Sequence, residues 1–439
     1  MQSIDLLVVP RYLIPVAPAG KVDEQTAMAV HDGRIIELLP ADQAREKYMP
    51  AETLALKQHA VMPGLVNAHT HSAMSLFRGL ADDLPLMQWL NDHIWPAEGA
   101  HANAEFCRDG VALAIAEMIR SGTTCFNDMY FFPEATAEVA GRAGIRVCIG
   151  LIVIDFPSAW ARPGEYLHKG LAFRDAVRDQ PLIKTLFAPH APYSVNDTAL
   201  AEVRKYANEL GVGIHMHVHE TADEVQQAQD NGGARPWQRL RDLDLPGSDF
   251  VAVHMTQLND EEIEQAAALG VHVAHCPESN LKLASGFCPV AKLMQAGVNV
   301  CLGTDGAASN NDLDLFGEMR TAALLAKGVS GDAQSVSAPQ ALQMATINGA
   351  RALGLDQDIG SLEVGKSADF IAVDLSACHT QPLFNPISQL VYAANGRDVT
   401  HSFVAGRALM RNRTLSTIDE PAILGRAAQW RQRICGAEQ

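Results

Sequence analysis

Between about His59 and Gly354 the chain repeats a unit in which a short apolar run gives way to an amphipathic stretch. The apolar runs are Val61–Ala68, Thr123–Met129, Arg146–Ile154, Leu182–Pro189, Val212–His219, Phe250–Met255, Val271–Cys276 and Asn299–Thr304. Amphipathic stretches between them include Ala104–Arg120, Asp197–Leu210, Asp260–Leu269 and Asp312–Lys327. Eight strand-like runs alternating with helical patterns predict an α/β chain closed into a parallel (β/α)8 TIM barrel. An open, doubly wound sheet is the competing architecture. No GxGxxG follows the early strands, which counts against it.

The two ends of the chain have a different texture. Ala27–His31 and Arg34–Leu39 flank the hairpin signal Asp32-Gly33, and similar runs return in Ser367–Asp374 and in Val399–Met410 around Ala405-Gly406. This predicts a small β-sandwich domain made from 1–58 and 360–415, a barrel over 59–359, and a C-terminal helix over 416–439.

Composition narrows the ligand. Lys plus Arg total 34 against 51 Asp plus Glu, a formal charge of −17 with no basic cluster, and such a field repels nucleic acid. A small-molecule substrate fits better. The first residues carry Asp5, Pro10 and Pro15 within an apolar stretch, which suits neither a signal peptide nor a membrane span. Eight scattered cysteines without a CxxC read as reduced thiols of a cytoplasmic protein.

In a barrel of this kind the reactive groups sit at the C-terminal ends of the strands. Those ends here carry His69 and His71, Asp128, His190, His217 with Glu220, His254, His275 and Asp305. Residues two apart on a strand point the same way, so the HxH pair His69/His71 can reach one ion. Asp305 follows an apolar strand at a glycine-rich turn and either completes a zinc site or caps that turn; the HxH pair favours the ligand.

GIHMHVHE (213–220) offers His215, His217 and His219 on one face, of which one serves as third histidine. His217 is the choice, His219 the competitor, and His215 a deeper hydrogen-bonded residue. Glu220 supplies the acid/base that moves a proton from water to a substrate nitrogen. His254 then orients that water rather than binding the ion. A second metal would want a bridging group at the fourth strand, where the chain has His190, and Lys184 lies too early in its strand. One zinc, with iron(II) as the alternative, is the expected cofactor.

PGLVNAHTH (63–71), PLMQWLNDHIWPAE (85–98), APHAPYS (188–194), HVHET (217–221), HCPESNLKLASG (275–286) and LGTDGAASNN (302–311) together resemble the amidohydrolase superfamily. More narrowly, they resemble its 5′-methylthioadenosine/S-adenosylhomocysteine deaminases. The resemblance implies zinc ligands His69, His71, His217 and Asp305, a proton shuttle in Glu220, and His254 bonded to the attacking water. It also implies that His190 contacts the purine and Glu98 the ribose hydroxyls, which as donors suit a carboxylate. Trp89, Arg162 and Ser309 complete the candidate substrate contacts.

Family members that accept S-adenosylhomocysteine are expected to offer arginine near the third strand. Here that strand is apolar and only Arg162 follows, among Phe156, Pro157 and Trp160. The expected reaction is therefore hydrolytic deamination of 5′-methylthioadenosine and adenosine, more than of S-adenosylhomocysteine, to the 6-oxo purine nucleoside and ammonia. Deamination of a free base (guanine, cytosine or a triazine) is the second enzymatic reading, in which Glu98 has no ribose to hold. A catalytically silent binding module is the third, and it would normally have lost a ligand or the acid. A homo-oligomer is compatible with the aromatic segments Trp89–Trp95 and Phe131-Phe132, which serve as lids or as subunit contacts.

Overall fold

The computed structural model describes residues 1–436. Eight parallel strands form the barrel: Leu65–Thr70, Thr123–Asp128, Arg146–Val153, Ile183–Pro189, Ile214–Val218, Phe250–His254, His272–His275 and Asn299–Leu302. They follow one another around the sheet in chain order. Every residue of the first, second, third, fifth, sixth and seventh strands is buried. That is why these runs are continuously apolar rather than alternating: both faces of a parallel sheet are covered.

The seam between the eighth and first strands is closed just beyond the eighth. The Asp305 N–H donates to the His69 carbonyl at 3.0 Å, and the Asn67 side chain donates to Thr304 Oγ1 at 2.8 Å. Gly303 makes this approach feasible, since a Cβ there would lie 2.7 Å from the His69 Cβ.

The strand expected over Val61–Ala68 divides in two. Tyr48–Pro63 is a long strand of the terminal sheet, in which His59–Pro63 pair antiparallel with Phe370–Asp374, and the barrel begins only at Leu65. The break is at Gly64, where a Cβ would meet the Thr124 side chain at 2.0 Å. An unbroken apolar run does not reveal that it serves two sheets.

Both chain ends contribute to the β domain. Its strands pair as one mixed nine-stranded sheet, with Gln2–Leu13 parallel to Tyr48–Pro63 at its centre and the hairpins at Asp32-Gly33 and Ala405-Gly406 toward its two edges. A final helix, Glu420–Gly436, packs Trp430 edge-on against Phe106 and bonds its indole N–H to Asp109. Residues 437–439 of the expected C-terminal helix lie outside the described residues. No helix among the described residues is long and apolar enough to cross a membrane.

Candidate metal centre and substrate cavity

His69 and His71, from the first strand and the residue just past it, meet His217 from the fifth and Asp305 just beyond the eighth; one potential ligand atom from each lies within 4.8 Å of the other three. His69 Nε2 stands 3.2 Å from His217 Nε2 and 3.2 Å from Asp305 Oδ1, and His71 Nε2 is 3.3 Å from the same oxygen. These separations match the ~3.3–3.4 Å edge of a tetrahedron with ~2.0–2.1 Å zinc bonds.

The hydrogen-bond pattern fits a cation as well. His71 Nδ1 donates to the Met129 carbonyl at 2.6 Å and His217 Nδ1 to the His190 carbonyl at 2.8 Å, while His69 Nδ1 is 3.0 Å from His215 Nε2. With their protons on Nδ1, these rings aim bare Nε2 lone pairs at one another, an arrangement that a bound cation resolves.

Electrostatics agree. Burial, with the neighbouring histidines, holds the His217 pKa well below the usual range, so the ring is neutral and able to ligate. Asp305 stays ionised. Burial opposes its charge, but the surrounding imidazoles, His69 first and then His71 and His254, outweigh it. Ser279 Oγ and Ser309 Oγ donate to Oδ2 at 2.7 and 2.9 Å, and the Gly306 N–H to Oδ1 at 2.9 Å.

Beside this cluster Glu220 is buried, and burial followed by the like charges of Asp305 and Glu224 raises its carboxyl pKa well above the ordinary range. Its oxygen Oε2 lies 3.7 Å from His254 Nε2. The Glu220 backbone N–H donates to Glu224 Oε2 at 2.7 Å and its carbonyl accepts from Thr256 Oγ1 at 2.7 Å, so the shuttle candidate is pinned from both sides. His254 has a pKa lowered to about 3, chiefly by burial, and its Nδ1 pairs with Asn280 Nδ2 at 3.0 Å. His254 and Asp305 both adopt positive φ (73° and 62°), and these strained turns direct strand-end side chains toward a common centre.

Not every strand-end residue joins the cluster. His219 does not share the face of His215 and His217: the fifth strand ends at Val218, and at φ 52° His219 turns away, its Nε2 accepting from the Trp237 N–H at 3.1 Å. Asp128 is an anchor for the loop after His71, accepting from the Ser72 N–H at 2.8 Å and Thr136 Oγ1 at 3.0 Å. Lys184 donates to the Gly354 carbonyl, and among the described residues no further ligand group lies beside the first four.

The cluster opens into a cavity of about 360 Å³ whose lining includes Trp89, Glu98, His190, Glu220, His254 and Ser309. Glu98 accepts a 2.7 Å hydrogen bond from Tyr130, and burial raises its carboxyl pKa. Burial lowers His190 to about 3, and Ser194 Oγ holds its Nδ1 at 2.8 Å. Trp89 is buried, its indole donating to the Ala81 carbonyl. Ser309 lines the cavity while its hydroxyl serves Asp305.

Arg162 is a correction: it is exposed and outside the cavity, its backbone N–H donating to Glu165. The loop turns on Ser158, whose hydroxyl accepts from the Trp160 and Ala161 N–H groups, so Trp160 goes inward and the guanidinium stays in water. Burying it unpaired would be costly. Among the described residues no lysine or arginine lines the cavity, and the third-strand side is formed by Ile152, Ile154, Phe156 and Tyr166.

Sequence reading missed Ser279, Asn280 and Tyr130. The first two lie within HCPESN and could have been sought there; Tyr130 carries no local signal.

A closed parallel barrel with three histidines and an aspartate converging at its strand ends is the frame of a metal-dependent hydrolase. The chain belongs to the amidohydrolase family, whose model matches residues 60–409. It is 50% identical over 98% of its length to a 5-methylthioadenosine/S-adenosylhomocysteine deaminase of Saccharophagus degradans, covering 97% of that protein. It is 41% identical over 96% of its length to a 5′-deoxyadenosine deaminase of Methanopyrus kandleri, covering 97% of that protein. Among solved structures, an adenosine deaminase from Xanthomonas campestris with bound zinc superposes with a TM-score of 0.98 at 51% identity, covering 99% of both chains.

Proposed function

We propose that this protein is a zinc-dependent deaminase of adenosine-type nucleosides, acting on 5′-methylthioadenosine and adenosine in preference to S-adenosylhomocysteine. The observation that carries the reading is one cavity holding both the four-ligand cluster with Glu220 and, on its wall, the carboxylate Glu98. A free base would leave Glu98 nothing to bind. The names of the relatives support the same substrate class.

His69, His71, His217 and Asp305 would hold the zinc, which would supply the Lewis acidity that makes water nucleophilic at neutral pH. Glu220 takes one proton of the attacking water and delivers it to purine N1, then takes the second from the new C6 hydroxyl and delivers it to the leaving amine. A C6–O bond forms, the C6–N bond breaks, and the products are the 6-oxo nucleoside and ammonia. His254 presents Nε2 beside Glu220 and steadies charge on the incoming oxygen. His190 and Trp89 bound the base, and Glu98 accepts from the ribose hydroxyls. Ile152, Ile154 and Phe156 suit a methylthio group and offer no partner to an amino-acid carboxylate.

Zinc is preferred to iron(II) because the relative structure carries it and the ligand set suits it. All eight cysteines are free, six of them buried, which supports a reducing, cytoplasmic setting. The test is loss of the adenine absorbance band when zinc-loaded protein is mixed with 5′-methylthioadenosine, adenosine and S-adenosylhomocysteine in turn at equal concentration. Fast turnover of the first two and slow turnover of the third is expected. Equal turnover of all three would overturn the tail argument, and none would overturn the nucleoside reading.

A further inference from the structure

Residues 86–101 form one wall of the cavity as two short α-helical pieces, Leu86–Trp89 and Trp95–His101, joined by a π turn over Leu90–Ile94. A π turn shifts the side chains that follow it around the helix, and here Trp95 and Glu98 come to face the cavity along with Trp89 and Ile94. The wall is otherwise held by apolar packing. Among the described residues, one hydrogen bond and no ion pair joins it to the barrel: Tyr130 Oη donates to Glu98 Oε1 at 2.7 Å.

The other end of that tether is fixed at the metal cluster. Tyr130 is buried two residues past the second strand, and the residue before it, Met129, donates its N–H to the Thr70 carbonyl at 2.9 Å and accepts from His71 Nδ1 at 2.6 Å. Two consecutive residues therefore touch a metal-ligand candidate on one side and the sugar-binding carboxylate on the other.

We infer that Tyr130 is a positioning residue that sets the distance between the metal centre and the ribose-binding carboxylate, and so governs discrimination between ribo- and deoxyribonucleosides. Its hydroxyl occupies one lone pair of Glu98 Oε1. Oε2 and the remaining capacity of Oε1 are left for two donors, the number a vicinal diol presents. Without the tether the carboxylate and its helix lose their fixed reach, and the diol is gripped less well while the reacting atoms keep their surroundings. The inference rests on the nucleoside reading above. A buried tyrosine that had merely found an acceptor would affect stability without affecting substrate choice.

The experiment measures kcat and KM of zinc-loaded wild type, Tyr130→Phe, Glu98→Gln and the double variant with adenosine, 2′-deoxyadenosine and 3′-deoxyadenosine. Tyr130→Phe is expected to raise KM for adenosine about tenfold with a much smaller change in kcat, and to alter the deoxynucleosides little, so the preference for ribose falls about tenfold. In the Glu98→Gln background the second substitution should cost almost nothing more. If Tyr130→Phe does not fold, Tyr130→His, whose donor falls short of Glu98, is expected to show the same split. An equal loss on all three substrates, an unchanged ribose preference, or additive effects in the double variant would overturn the inference alone. A wild type inactive on every nucleoside would overturn the function from which it starts.

Discussion

The two sides of the cavity are built differently. At the metal centre each of His69, His71, His217 and His254 has its Nδ1 engaged by a named partner, and Asp305 accepts from two serines and a backbone N–H. The wall formed by residues 86–101 is largely aromatic and aliphatic and, among the described residues, is tied to the barrel by a single hydrogen bond. A reaction coordinate tolerates little displacement, so its groups are over-determined by several strands at once. On the proposed reading, substrate choice rests on shape and on the one carboxylate Glu98, and it can change without dismantling the chemistry.

The sharpest way to break the contrast is Glu220→Gln. Turnover should fall by about 10²–10⁴-fold, the usual worth of a placed acid/base, with metal content unchanged by atomic absorption. Near-normal turnover would remove Glu220 from the mechanism. Next is Asn280→Leu, which strips the partner from His254 Nδ1. A loss of about 10–100-fold in kcat is expected, with KM nearly unchanged, because the support of a reacting group is removed and no substrate contact is. A change confined to KM would assign Asn280 to substrate binding.

The smallest effect concerns what dense polar packing costs. Glu318 is fully buried behind the centre, accepting from the Glu278 N–H at 3.2 Å and from Asn310, whose side chain also bonds the Thr304 carbonyl. Burial, followed by the charge of Glu278, raises its pKa well above the ordinary range. A carboxyl whose pKa is raised on folding binds more protons folded than unfolded, so its contribution to stability falls as pH rises above the unfolded value near ~4.3. Glu318→Gln removes that loss. Its Tm should exceed wild type by a few degrees at pH 7.5, with the gain shrinking toward pH 4.5, as followed by circular dichroism. A variant less stable at every pH would mean that the Gln amide cannot replace the carboxyl.

The same contrast explains what could be read from the chain before its fold. Strand-end histidines and Asp305 stand out because a packed barrel rim has no need of them, and the eight apolar runs stand out because buried parallel strands do not alternate. His217 stands out from a triple of histidines by its place three residues before Glu220, whereas the end of the strand at Val218, which takes His219 off that face, is not marked by the residue pattern. Tyr130 touches Glu98 and Asn280 touches His254 across neighbouring βα loops; HCPESN marks where to look for Asn280, but no local spacing encodes either contact. The side taken by Arg162 depended on a serine-centred turn in an irregular loop. In Val61–Ala68, hydrophobicity ran unbroken across Gly64 because both strands it feeds are buried.

The barrel's closing seam has one last consequence. Asn67 and Thr304, which hold it shut, are 237 residues apart, and His69 and Asp305 beside them are ligand candidates from its two sides. An ion bound there acts as a clasp on a very long loop, and constraints that close long loops remove the most freedom from the unfolded chain. Chelation and barrel opening therefore pull on the same joint, and a metal-starved cell would hold a protein that is easier to unfold as well as an idle enzyme.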